Sequence, residues 1–137
     1  MAKTNEITNV YKYFSKRKID LTLLHCISSY PTKEKDSYLS NIRYLKDKFN
    51  CKIGISDHTN DIKIPIYGSI LGASVIEKHL KINRKHKCVD APVSITGEQL
   101  KKLRNEIDNL KLILRKHKFG IKNSEKSAKI FKRKKIY

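Results

Sequence analysis

Ile53-Gly54-Ile55-Ser56 is a short apolar run that ends in the polar cluster Asp57-His58-Thr59-Asn60-Asp61. That is the pattern of a strand buried on both faces that releases polar groups at its C-terminal end. The same form occurs on either side of it. Upstream, Leu21-Thr22-Leu23-Leu24-His25-Cys26 closes in the turn-forming Ser28-Ser29-Tyr30-Pro31-Thr32; downstream, Ala73-Ser74-Val75-Ile76-Glu77-Lys78-His79 reads as a third strand.

Helical periodicity fills the intervals. Residues 5–18 place Ile7, Val10, Tyr11 and Phe14 on one side, with Thr4 available as N-cap. A second helix is expected from about Asp36 to Phe49, with Leu39, Ile42, Leu45 and Phe49 in line. Ile64 to Leu71, with Pro65 in its first turn and Gly72 behind it, reads as a short third helix. Residues 82–93 read as a polar loop. Thr96 and Gln99 then form a Thr-x-x-Gln capping box for a long helix whose buried face is expected to carry Leu100, Leu103, Ile107, Leu110 and Ile113. The order α-β-α-β-α-β-α predicts an α/β fold with parallel strands and right-handed crossovers. Three strands cannot close a barrel, and they leave both sheet edges unpaired.

The 137 residues carry 31 Lys and Arg against 13 Asp and Glu, a formal charge of +18. Residues 101–137 hold 14 of the basic and three of the acidic side chains, so the excess concentrates at the C-terminal end. Of the basic residues 25 are Lys and six Arg, whereas base-edge and bidentate phosphate readers favour the arginine fork. Nucleic acid is therefore not the expected partner. Cys26, Cys51 and Cys88 are odd in number and widely spaced, which offers neither a disulfide framework nor a metal knuckle and fits a reducing cytoplasm. Residues 1–6 lack an apolar signal core, and no apolar run approaches the roughly 18–20 residues of a membrane span.

In parallel α/β architectures the chemistry collects where strands end. Here those residues are Ser28 and Tyr30, then Ser56, Asp57 and His58, then Glu77 and His79. Side chains two apart share a face, and neighbouring strands lie about 4.8 Å apart, so His58 and His79 can reach one ion together. A carboxylate from Glu77 or Asp90 would complete an open divalent site. The plainer readings are a hydrogen-bonded structural histidine, a helix-capping Asp57 and a simple turn at Tyr30-Pro31. His25 alternates away from Leu24 and Cys26 and reads as packing; His86 has no partner in sequence. The cysteines lack the context of a nucleophile. Gly54 stands without the further glycines of a dinucleotide-binding loop.

Three collinear motifs carry a resemblance: Leu24-His25-Cys26-Ile27-Ser28-Ser29-Tyr30-Pro31, Gly54-Ile55-Ser56-Asp57-His58-Thr59 and Leu71-Gly72-Ala73-Ser74-Val75-Ile76-Glu77-Lys78-His79, followed by Asp90 and Ser94. They are similar to the motifs of the N-acetylneuraminate (sialic acid) synthase family, which includes the legionaminic and pseudaminic acid synthases. The resemblance covers almost the whole chain. It implies a TIM-type (β/α)8 barrel followed by an antifreeze-like domain, and an enzyme that condenses phosphoenolpyruvate with an N-acetylated amino sugar such as N-acetylmannosamine, using Mn2+ or Mg2+. By the same resemblance His58 and His79 are the metal ligands, Ser28 and Ser56 meet phosphoenolpyruvate, and Tyr30, Glu77 and Asp90 contact the amino sugar, with Glu77 and Asp90 in catalytic roles.

Against that family pattern, residues 1–119 correspond to the C-terminal part of the barrel, about three βα units from the fifth helix to the eighth. Residues 120–137 resemble the basic linker that follows it. Strands one to five, with the lysines that cradle phosphoenolpyruvate, and the antifreeze-like domain are the missing parts. Ser28 replaces an Asn of some relatives, and Ala91 follows Asp90 where many have His. The expectation is a fragment or split chain, inactive alone, that pairs with a companion chain or with itself. The alternative is a non-catalytic basic protein whose Lys-rich tail binds RNA or acidic partners, with an affinity that falls steeply with salt and is lost with residues 121–137.

Overall fold

A computed structural model describes residues 1–116 and 119–131; the end of the basic tail, 132–137, lies outside the described residues. Four helices, α1 (Thr4–Lys16), α2 (Ser40–Lys48), α3 (Lys63–Ile70) and α4 (Gly97–Ile113), accompany three main strands, β1 (Thr22–Cys26), β2 (Lys52–Asp57) and β3 (Val75–Lys78). The strands are parallel and lie in the order β1-β2-β3. Sequence order equals spatial order, as expected when each crossover returns one strand further along the sheet.

Register decides which side chains meet. Leu23 lies beside Ile53, and His25 beside Ile55, which in turn lies beside Ile76, while Cys26, Ser56 and Glu77 align on the opposite face. The first face takes the helices. Ile42, Leu45 and Phe49 from the α2 side pack with Ile53, Ile55 and Ile64, and Ile7 and Tyr11 of α1 and Leu23 close over them. A second cluster joins Ile62, Ile95 and Leu103, with Ile66, Ile76 and Ile107 against it. None of Leu24, Gly54, Val75 or Glu77, on the other face, belongs to either cluster.

Several local expectations are corrected. Thr4 is the first helical residue and not the cap: Lys3 holds that position, and its N–H donates to the Glu6 carboxylate at 2.5 Å. The helix expected from Asp36 begins at Ser40. Glu34–Asp36 form a separate 3-10 turn, because the Ser37 carbonyl accepts from the His25 ring at 2.7 Å instead of joining a helical ladder. The expected loop 82–93 holds, with a 3-10 turn at Ala91–Val93, but two short strands flank it unforeseen: β4 (Leu80–Lys81) pairs in parallel with β5 (Ile95–Thr96) as a separate small sheet. Pairs of two residues show no periodicity in sequence.

The Thr96–Gln99 capping box is present: Gln99 N–H donates to Thr96 Oγ1, and Thr96 N–H donates to Gln99 Oε1 at 3.0 Å. Thr96→Ala is expected to lower stability by about 1 kcal/mol in urea unfolding, the ordinary worth of such a cap. The face of α4 is only partly covered. Leu103 is buried, but Leu100 and Ile113 are 43% and 66% exposed. Leu100 borders an open groove of about 650 Å³ between α4 and β3 that Ala73, Ile76, Leu103 and Ile107 also line. An amphipathic helix covers its stripe only where a sheet lies under it, and β3 is the last strand on this side.

Candidate active site

The C-terminal ends of β1, β2 and β3 bring Tyr30, Ser56, His58, Glu77, His79 and Asp90 into one cluster. Ser56 and Glu77 sit opposite each other in register, and Ser56 Oγ donates to Glu77 Oε1 at 2.7 Å. The His58 and His79 rings lie 5.4 Å apart between centroids. Tyr30 stacks on His58 at 4.0 Å and 28° and meets His79 edge-on at 5.9 Å. The turn that holds Tyr30 contains a cis Tyr30–Pro31 peptide. Its Thr32 N–H donates to the His58 carbonyl at 2.9 Å, which ties the first strand's loop to the second's.

Hydrogen bonding fixes how the histidines present themselves. His58 Nδ1 lies 2.9 Å from the Ile27 carbonyl. A carbonyl only accepts, so Nδ1 carries a proton, and in the neutral ring Nε2 is the nitrogen with the lone pair. His79 Nδ1 approaches Asp90 Oδ2 at 3.5 Å, which leaves its Nε2 unengaged by that carboxylate. Backbone carbonyl and carboxylate partners behind the ring are what metal-binding imidazoles ordinarily have. An ion about 2.1 Å from an imidazole nitrogen lets two rings share it at centroid separations up to roughly 6 Å, and 5.4 Å satisfies that limit.

The expected carboxylate ligand is not assembled. Among the described residues no group of three or more His, Cys, Asp and Glu side chains is placed to hold a metal ion. Glu77 is turned to Ser56, and Asp90 stands behind His79. Two imidazoles, with remaining positions open to water or substrate oxygens, are the side chains here that could hold a divalent ion.

Ser28 is exposed and lines an open cleft of about 350 Å³ with Met1, Ala2, Leu24 and Cys26, the last of which is in register with Ser56. His25 is buried and spent on Ser37, as its parity implied. Cys26 and Cys51 are half-buried and Cys88 exposed, all as free thiols. Burial pushes the Cys51 thiol up from its ordinary range, which argues further against a nucleophile there.

Sequence reasoning missed the strongest polar contact near the site. Asp57 and Lys78, in register on the helix-facing side, form an ion pair at 2.6 Å with both side chains 3% exposed. Asp57 also accepts from Thr59 N–H at 3.1 Å and Thr59 Oγ1 at 2.8 Å, and Lys78 Nζ donates to the Thr59 carbonyl. Asp57 is thus no helix cap. Burial pushes the Lys78 ammonium below the usual lysine range, against the opposing pull of Asp57. Parity could have found the pair, since each member directly precedes one of the two site histidines.

Comparison with known proteins agrees with these motifs. The family model described as the NeuB family matches residues 1–119. The pseudaminic acid synthase of Campylobacter jejuni serotype O:23/36 is 30% identical over 134 residues, covering 97% of this chain and 39% of that protein. The N,N'-diacetyllegionaminic acid synthase of C. jejuni serotype O:2 is 32% identical, over 93% of this chain and 37% of its own length. Among solved structures, the N-acetylneuraminic acid (sialic acid) synthetase of Leptospira borgpetersenii superposes with a TM-score of 0.85 at 37% identity, over 96% of this chain and 46% of that one. The chain thus spans less than half the length of each of these relatives. Its α/β fold with parallel strands is that of the sialic acid synthase structures, and with residues 1–119 matched the chain belongs to the NeuB family.

Proposed function

We propose that this chain forms about three βα units from the C-terminal part of a TIM-type (β/α)8 synthase barrel, residues 1–119, and carries the metal-holding half of its active site. Residues 120–137 follow as a linker-like basic segment. The reaction is condensation of phosphoenolpyruvate with N-acetylmannosamine or a related N-acetylated amino sugar, giving a nonulosonic acid and phosphate. The observation that carries this reading is the convergence of His58, His79, Ser56 and Glu77 at the ends of adjacent parallel strands. Helices packed on one sheet face, with strands in sequential order, fit a barrel wall better than a sheet wound on both faces.

His58 and His79 would hold Mn2+ or Mg2+ through Nε2, and the ion would supply Lewis acidity at the sugar aldehyde. This chain's other residues bind and orient. Glu77, fixed by Ser56, and Asp90, fixed beside His79, offer carboxylate oxygens to sugar hydroxyls, which bind well to an anion that lacks a cationic partner. Tyr30, stacked on His58 with half its surface exposed, provides an apolar wall for the sugar ring. Ser56 and Ser28 provide hydroxyls on the phosphoenolpyruvate side. Holding both reactants in contact geometry is the larger part of such catalysis.

β1 and β3 each have one unpaired edge among the described residues. In this reading the site is completed by strands outside this sheet that bring cations for the phosphate and carboxylate of phosphoenolpyruvate. The purified chain is expected to release no phosphate from phosphoenolpyruvate with N-acetylmannosamine and Mn2+. Adding the separately expressed first barrel half of the Leptospira enzyme should restore turnover. Robust release by the chain alone would overturn the need for a complement, and no release from any mixture would count against the synthase reading.

A further inference from the structure

We infer that Lys78 is a positioning residue that holds His58, through the residues on either side of it, in the geometry that faces His79. The inference rests on the proposed role of the histidine pair. Lys78 Nζ contacts Asp57 Oδ2 and the Thr59 carbonyl, the residues immediately before and after His58. Asp57 closes the ring by accepting from the Thr59 N–H and hydroxyl. His58 is thus the middle residue of a three-residue segment clamped at both ends by one ammonium group.

The clamp lies on the helix-facing side of the sheet, where Asp57 and Lys78 pair in register. It holds the main chain from behind while the Ile27 carbonyl holds Nδ1 and Thr32 N–H holds the His58 carbonyl in front. Lys78 is also covalently followed by His79. One residue therefore sets the position of both rings: His79 through the chain and His58 through the side chain. A buried ion pair is by itself weak evidence of stabilisation, since an uncharged pair of similar volume often serves the fold equally well. Its placement around His58 gives this pair a different use.

Lys78→Met alone leaves the Asp57 carboxylate buried without a partner, so the decisive variant is the double substitution Asp57→Asn with Lys78→Met, which removes both charges and keeps an acceptor for Thr59 N–H. Thr59→Val is the milder companion, since it removes only one hydroxyl from the ring. The readouts are the imidazole 15N shifts of His58, which report the Nδ1–H tautomer, and Co2+ titration followed by visible absorption. In the folded double variant the His58 shifts should move toward those of a mixed tautomer, and Co2+ affinity should fall about 10–100-fold, as for loss of an outer-shell partner. Thr59→Val should move both in the same direction by less. Unchanged shifts and unchanged affinity in the double variant, or in Thr59→Val should the double variant not fold, would overturn the inference. If the wild-type chain takes up no Co2+, or His58→Ala takes up as much, the metal reading fails while the 15N shifts still decide the role of Lys78.

Discussion

Mn2+ uptake by this chain is expected to disappear in both His58→Ala and His79→Ala. In the proposed site the two rings, 5.4 Å apart, are the whole donor set among the described residues, because no three-membered group of His, Cys, Asp and Glu is assembled. Removing one ring leaves a single imidazole, and a hard cation prefers solvent to one nitrogen ligand. The loss should exceed the roughly 10–100-fold that an outer hydrogen-bond partner contributes. Electron paramagnetic resonance of free Mn2+ measures it directly. The variants should differ in stability. His58 is buried, hydrogen-bonded to Ile27 and stacked on Tyr30, so its loss costs folding free energy, whereas the His79 side chain is 35% exposed and its loss costs less. Equal uptake by wild type and both variants would sink the assignment.

Gly54→Ala is expected to be among the most destabilising single-methyl additions in the chain. Gly54 sits in β2, the central strand, between Leu24 and Val75. A Cβ there would lie 2.6 Å from Leu24 Cδ2, 2.6 Å from the Val75 carbonyl oxygen and 2.9 Å from Val75 Cβ. Leu24 could rotate away, but the carbonyl is backbone of the adjoining strand. Relief therefore means shifting β3, with Glu77 and His79 at its end. The cost should reach the upper end of the range for overpacking, about 3 kcal/mol, as a lower urea midpoint. Gly97→Ala is the control: nothing lies within 4 Å of its Cβ, and it opens α4, so it should be neutral or slightly stabilising. Equal behaviour of the two variants would refute the close approach of the strands.

The three main strands, their parallel order and the α4 capping box were legible because each rests on local pattern. Buried strands read as short apolar runs, and Thr96 and Gln99 satisfy each other within one turn. The start of α2 was misplaced by four residues because the Ser37 carbonyl is claimed by His25, twelve residues earlier. The exposed Leu100 and Ile113 show a converse limit: periodicity identifies a stripe, and only the neighbouring strands determine whether anything covers it.

The site divides in the same way. Register sets Ser56 opposite Glu77 on β2 and β3, and the two rings that follow these strands lie 5.4 Å apart. The sequence by itself determined the fold class and the motifs that mark the NeuB family. Tertiary structure decided what the site's side chains are bonded to. Glu77 turns to Ser56, Asp90 stands behind His79 and not beside a third ligand position, and Lys78 reaches Asp57 and Thr59 across the strand register. These outcomes depend on distances of a few ångströms between residues 11 to 21 positions apart in the chain, which composition and periodicity do not encode. They follow only once β1, β2 and β3 lie side by side and each polar group, cut off from water, takes the nearest partner of suitable charge.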